Sequence, residues 1–242
     1  MTAIKTEGLT KRYKDVLAVD RLSLSVEEGE IFSLLGVNGA GKTTTIKMLS
    51  CLTEPTDGDA FLLGKSIRTD VAAVKSVIAV SPQETAVAAG LTVKENLQLI
   101  CGIHSFSREK TSEKISSLTS LLGLQGVLNR KAGKLSGGWQ RRLSIAMALI
   151  SEPKILFLDE PTLGLDVIAR SELWDIIRSL KSSATVILTT HYMEEAESLS
   201  DRIAIMKDGA LLICDTPDKI KEITGEVSIE KAFIKIVKEA GK

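Results

Sequence analysis

The sequence predicts an α/β fold: a mixed β-sheet with flanking helices, an antiparallel β layer toward the N-terminus, and a helical subdomain inserted into the sheet. Three observations carry this expectation. A glycine-rich run, Gly36-Val37-Asn38-Gly39-Ala40-Gly41-Lys42-Thr43-Thr44, follows the apolar strand pattern IFSLL and opens the helical pattern TTTIKMLSCL. Strand patterns at residues 155–158, 186–188 and 203–206, with helix patterns between the first two, suit a parallel sheet built from βα units. From about residue 83 to 149 the apolar period becomes helical.

Taken in order, residues 22–26 (LSLSV) alternate in strand fashion, and turn signals stand at Glu28-Gly29 and Asp57-Gly58. In the helical stretch Val93, Leu97, Ile100 and Ile103 share one face, as do Ile115, Leu118, Leu121 and Leu122. Gly123 is placed to end the second of these helices. In the tail SIEKAFIKIVKEAGK, Ile229, Phe233, Ile236 and Val237 lie on one helical face, which is expected to dock on the protein's own body. The expected organisation is one domain over 1–242: a core of residues 1–82 and 150–224, the inserted helical subdomain 83–149, and a short helical tail 225–242.

Composition bounds the function. A chain of 242 residues, 44% hydrophobic, can bury a sizeable core. Lys+Arg and Asp+Glu balance at 31 each, so no global positive field holds nucleic acid, and no nucleic-acid partner is expected. The start, MTAIKTEGLTKRYK, lacks an apolar signal core, and no apolar run approaches the roughly 18 residues of a spanning helix, so a cytoplasmic location is expected. Cys51, Cys101 and Cys214 show no metal-ligand spacing and are expected as buried small apolar groups.

The glycine-rich run has the chemistry of a phosphate-binding loop. Gly36, Gly39 and Gly41 permit positive φ and close backbone approach, so successive N–H groups can surround β- and γ-phosphates at a helix N-terminus. Lys42 supplies a point charge, the Thr43 hydroxyl can ligate Mg²⁺, and Thr44 extends the cradle toward the α-phosphate. A nucleotide and Mg²⁺ are the expected ligands.

Asp159 and Glu160 close the strand ILFLD ahead of Pro161. Alone, such a pair opens many solvated loops; beside a phosphate loop, a strand-end carboxylate is the expected second anchor for Mg²⁺, and Asp159 takes that role. Successive strand residues point to opposite faces, so Glu160 is left to face the γ-phosphate, as general base or to orient the attacking water. The segment LSGGWQ places Ser136 as an N-cap, with Gly137 and Gly138 baring N–H groups at a helix start. By itself it reads first as a plain helix cap.

Phosphate loop, LSGGWQ and ILFLDEPTLGLD in this order resemble the ATP-binding subunit of an ABC (ATP-binding cassette) transporter, over nearly the whole chain. Trp139 departs from the glutamine common at its position. In that family the signature turn of one subunit closes over nucleotide in the P-loop of another. The resemblance therefore implies that Ser136, Gly137 and Gly138 act in trans, in a head-to-tail dimer with a second ABC ATPase subunit around two MgATP. It further implies that Tyr13 stacks on adenine, that Gln83 meets Mg²⁺ and the attacking water, that His191 senses the γ-phosphate, and that Asp166 lies in the loop crossing the dimer interface. As isolated residues the first three would be a packing tyrosine, a turn glutamine and a capped strand end. The run 190–197 (THYMEEAE) and the short ending look most like ATPases of ABC-2 type exporters. The implied partner is an integral membrane permease, with this subunit peripheral on the inner face of the cell membrane. Two alternatives stand beside this: a non-transport ABC ATPase acting on ribosomes or DNA, which usually carries paired cassettes or long coiled coils, and a P-loop kinase or GTPase, which needs an acceptor or base-recognition loop.

Overall fold

The computed structural model describes residues 1–181 and 183–240. The chain begins with β1 (Thr2–Tyr13), β2 (Val16–Leu22) and β3 (Ser25–Glu27), followed by β4 (Ile31–Leu35) and α1 (Lys42–Leu49). Next come β5 (Asp57–Leu62), β6 (Lys65–Ser66), α2 (Val71–Lys75) and β7 (Ile78–Ser81), and then the helices α3 (Val93–Ile103), α4 (Arg108–Leu121) and α5 (Gly137–Leu149). The remainder is β8 (Ile155–Asp159), α6 (Val167–Leu180), β9 (Thr185–Thr190), α7 (Met193–Leu199), β10 (Arg202–Lys207), β11 (Ala210–Asp215), α8 (Pro217–Thr224) and α9 (Ile229–Glu239).

The strands form two sheets. One runs β11-β10-β4-β9-β8-β7, parallel throughout except for the antiparallel pair β10–β11. Its inner strands β4, β8 and β9 are buried at every position, as their largely apolar sequences suit in a sheet covered on both faces. The second sheet, β2-β1-β5-β6 with β3 paired to β1, is antiparallel. Phe32, Phe157, Ile4 and Leu62 belong to the core shared by the two sheets, whereas Leu97, Leu118, Leu143 and Leu158 join α3, α4 and α5 to the parallel sheet. A fully buried Leu or Ile contributes on the order of 1.5–3 kcal/mol. The adjacent ends of β4, β9 and β8 thus stand on a rigid platform. A third cluster seats the tail: Ile229 and Phe233 are buried, and Ile236 and Val237 pack partly against it, so α9 docks on the body as expected.

Several expectations are corrected. Residues 22–26 are not one strand: β2 ends at Leu22 and β3 starts at Ser25. Asp57-Gly58 is no turn but the start of β5, where Gly58 has φ +72° and any Cβ would lie 2.2 Å from the Gly8 carbonyl oxygen. There β1 slips register between Glu7 and Thr10, a bulge that only a bare backbone accommodates. Ile103 (68% exposed) and Leu121 (43% exposed) leave the faces assigned to them, because the last turns of α3 and α4 run past the core; Cys101 and Leu122 take the inner positions. Of the three cysteines only Cys101 is fully buried; Cys51 and Cys214 are half-buried. Gly123, at φ +66°, does follow α4 in the left-handed conformation.

The loop 85–91 ahead of α3 is pinned by the buried Asn96. Its Oδ1 accepts from the Ala88 amide at 2.8 Å, and its Nδ2 donates to the carbonyls of Ala88 and Thr92 at 3.2 and 2.9 Å.

Candidate functional site

Strand order places three carboxyl ends side by side: β4, which feeds the glycine-rich loop; β9, which ends before His191; and β8, which ends at Asp159. Ligands of open α/β sheets bind in this position. A cleft of about 630 Å³ lies there, lined by Asn38 to Thr44, Tyr13, Gln83, Glu160, Leu163 and His191 among others. That is ample for a nucleotide.

Within the loop, Gly39 and Gly41 have φ of +85° and +99°, and α1 starts at Lys42 with Gly41 as its N-cap. Gly36 is required for a different reason from the one expected. Its φ is not positive, but a Cβ there would meet the Met206 carbonyl oxygen at 2.6 Å. Lys42, 6% exposed, folds its ammonium into the loop, donating to the carbonyls of Gly36 at 2.8 Å and Val37 at 3.3 Å. It stands 3.5 Å from Glu160 Oε1.

The two carboxylates both face the loop. The Thr43 hydroxyl donates to Asp159 Oδ1 at 3.1 Å, and the Thr189 hydroxyl donates to the same oxygen at 2.5 Å. Glu160 does not diverge from Asp159 by strand alternation, because β8 has already ended; it sits at φ +47°, and this left-handed step turns its carboxylate toward Lys42 and His191. Such a conformation in a non-glycine residue costs of order 1–3 kcal/mol and persists only where the surroundings fix it. Here the Glu160 amide donates to Thr189 Oγ1 at 3.0 Å, and its carbonyl accepts from Arg141 at 2.6 Å. His191 Nδ1 lies 2.7 Å from Glu160 Oε2, with the imidazole 4.2 Å from the Tyr192 ring.

Thr43 and Gln83 line the cleft, and Asp159 accepts from the Thr43 hydroxyl; these oxygen donors fit Mg²⁺, a hard cation that takes oxygen ligands and keeps several waters. Tyr13, 43% exposed, lines the far wall with Lys11 Nζ 5.0 Å from its ring centroid, an aromatic face available for stacking. Ser136, Gly137, Gly138 and Asp166 are not brought to this cleft. Ser136 stands at the N-cap of α5 without a side-chain capping bond, and it and Gly137 are exposed. Asp166 caps α6 by accepting from the Ala169 amide at 2.9 Å.

Two residues were not legible in the sequence. Arg141 of α5 is 4% exposed and donates to four main-chain carbonyls, those of Pro82, Gln83, Asp159 and Glu160. Glu195 of α7 is fully buried and accepts from the Thr162 hydroxyl at 2.8 Å and from Trp174 Nε1 at 3.2 Å. Burial pushes its carboxyl above the ordinary carboxylate range against these bonds, and the nearby charge of Glu160 adds to the rise. With the folded value raised, the stability held below the ordinary carboxylate range is lost as pH rises through the folded value. Glu195→Gln keeps an acceptor for both donors and cannot ionise. Its melting temperature relative to wild type should therefore climb as the pH is raised above about 4.3, the ordinary glutamate value; thermal unfolding across a pH series checks this, and parallel curves would mean that the Glu195 carboxyl titrates alike in the folded and unfolded chain.

Residues 19–163, more than half of the chain, match the family described as ABC transporter. The chain is 41% identical over 93% of its length to the phospholipid-transporting ATPase ABCA3 of Homo sapiens, of which it covers 13%. It is 37% identical over its full length to the "Probable multidrug ABC transporter ATP-binding protein YbhF" of Escherichia coli (strain K12), covering 43% of that protein. The chain thus spans less than half the length of either relative. Among solved structures, an ATP binding subunit of an ABC transporter superposes with a TM-score of 0.86 at 26% identity, over 98% of this chain and 100% of that one. A dimeric ATP-binding cassette in a post-hydrolysis state, bound to ADP and Pi, superposes with a TM-score of 0.79 at 27% identity, over 88% and 98% of the two chains.

Proposed function

The chain belongs to the ABC transporter family, and we propose that it is the ATP-hydrolysing subunit that dimerises head-to-tail around two MgATP and drives a separate membrane-spanning permease, in the direction of export. The observation that carries the reading is the set of contacts at the phosphate loop, Thr43 with Asp159, Lys42 with Glu160, and Glu160 with His191. The backbone amides of residues 36–44 bind the phosphates, Lys42 adds a buried positive charge, and Tyr13 stacks on the base. Thr43, Asp159 and Gln83 would hold Mg²⁺, which would neutralise phosphate charge there.

Glu160 is the general base. Its carboxylate oxygens are held by His191 and Lys42, so it can accept the proton of a water aligned on the γ-phosphate, with His191 fixing its orientation and sensing that phosphate. Phosphates entering the loop compete with Glu160 for Lys42, which frees the carboxylate for that role.

Ser136, Gly137 and Gly138 lie outside this cleft, and the N–H groups at the start of α5 suit an anion held by a second copy of the chain. Asp166 and its exposed neighbours Val167 and Ile168 lie in the loop proposed to cross between the copies. The export direction follows the resemblance of residues 190–197 to ABC-2 type exporters. The subunit is then cytoplasmic, peripheral on the inner face of the membrane; among the described residues no helix is long and apolar enough to cross a membrane.

Residues 83–149 act in this reading as the moving body, since Gln83 senses the metal at one end and the signature turn senses the partner's γ-phosphate near the other. The loop 85–91 is the surface for a cytoplasmic helix of the permease. Replacing the exposed Ala86 and Gly90 by large polar residues should leave ATPase of the isolated subunit within about twofold while weakening copurification with a polytopic membrane protein and transport. Crosslinks to that partner that avoid this loop and fall near Phe233 would overturn the assignment.

A further inference from the structure

We infer that Arg141 is a positioning residue for hydrolysis: from the helix that bears the signature turn, its guanidinium sets the backbone that aims both Gln83 and Glu160. The inference rests on the ATPase reading above and assigns a side chain that the reading does not use.

The geometry is specific. β7 and β8 are parallel neighbours whose ladder ends at the pair Ser81 and Leu158. Beyond it β7 has ended, while β8 carries one more residue, Asp159, paired only with Thr189 of β9, before Glu160 leaves the sheet. Arg141 Nη1 donates to the Pro82 carbonyl at 2.5 Å, while Nη2 donates to the Gln83, Asp159 and Glu160 carbonyls at 3.3, 3.1 and 2.6 Å. One planar fork therefore closes both strand exits, which a lysine ammonium cannot reproduce in the same geometry. A buried guanidinium ordinarily takes a carboxylate partner. Among the described residues Arg141 instead hydrogen-bonds only to these main-chain oxygens; burial lowers its pKa, and the nearby charges of Asp159, Glu195 and Glu160 offset only part of that. The two exits carry the side chains proposed for the attacking water and its base. Glu160 in particular needs outside support for its φ of +47°, and Arg141 holds the carbonyl side of that residue.

Arg141 stands within one helical turn of Gly138 on α5, so a rotation of α5 driven at the signature turn reaches both catalytic segments through it. It makes no hydrogen bond to the phosphate loop. Its loss should therefore lower turnover and spare nucleotide affinity.

The test compares steady-state ATPase and equilibrium MgADP binding for wild type, Arg141→Met, Arg141→Lys and Arg141→Met combined with Gln83→Ala. Displacement of positioned groups by about an ångström lowers kcat by about 10²-fold. Arg141→Met should show a loss of that order with MgADP affinity within about threefold, and Arg141→Lys a smaller loss. Arg141→Met with Gln83→Ala should lose less than the product of the single variants, because both act through one segment. A kcat within about twofold of wild type in Arg141→Met overturns the inference. So does a joint fall of affinity and melting temperature in both Arg141→Met and Arg141→Lys, which marks a purely structural residue. If wild type itself does not hydrolyse MgATP, it is the ATPase reading that fails.

Discussion

Glu160→Gln is expected to bind MgATP and to hydrolyse it at least ~10²-fold more slowly than wild type, the effect of losing a positioned base. The substitution is nearly isosteric, and the amide retains a partner for His191 Nδ1, which stands 2.7 Å from the present carboxylate. The backbone of residue 160 stays fixed by Thr189 and Arg141. What disappears is the group that accepts a proton. A negative charge 3.5 Å from Lys42 disappears as well, so phosphate binding should hold or improve. Single-turnover hydrolysis alongside equilibrium binding separates the two effects. Unchanged turnover would remove Glu160 from the chemistry.

Lys42→Ala is expected to abolish nucleotide binding and hydrolysis together. The lysine is the cation inside the loop, and Asp159 and Glu160, 5% exposed each, would remain as buried acids without it. Truncating one member of a buried charged pair costs on the order of 2–5 kcal/mol, or about 30-fold to several thousandfold in affinity. Folding should survive, because the hydrophobic clusters that hold the sheets together do not include this side chain. Titration with a fluorescent ATP analogue, with circular dichroism as a folding control, checks the prediction. Full turnover in this variant would exclude the phosphate loop from the mechanism.

What could be read in the sequence follows from how local each constraint is. The phosphate loop was legible because its requirements are contiguous: φ values of +85° and +99° at Gly39 and Gly41 call for glycine, and Lys42 and Thr43 sit at fixed offsets. The buried strands β4, β8 and β9 were legible because burial on both faces leaves a largely apolar sequence. β1 was not, since its twelve residues carry a bulge near Gly8 that breaks the alternation, and its partner Gly58 imitates a turn. The direction of Glu160 was not legible: strand alternation predicts divergence from Asp159, whereas the left-handed step beyond β8 makes both acids face the loop, with Glu160 beside Lys42 and His191. Arg141 and Glu195 left no signal at all. Their partners are main-chain carbonyls and side chains 18 to 59 and 21 to 33 positions away, respectively, and nothing in a helical pattern distinguishes such a residue from a solvated charge.

The proposed sandwich of two subunits around two MgATP gives the incomplete site its most direct test, because the Ser136–Gly138 turn has no anion to meet in the cleft of its own chain. Glu160→Gln should trap that assembly by blocking the step that opens it. The decisive measurement is the molar mass of this variant by size-exclusion chromatography with light scattering, with and without MgATP. A dimer in MgATP that reverts to monomer without it is the predicted result, and a monomer under both conditions, with nucleotide bound at the phosphate loop, would contradict the account.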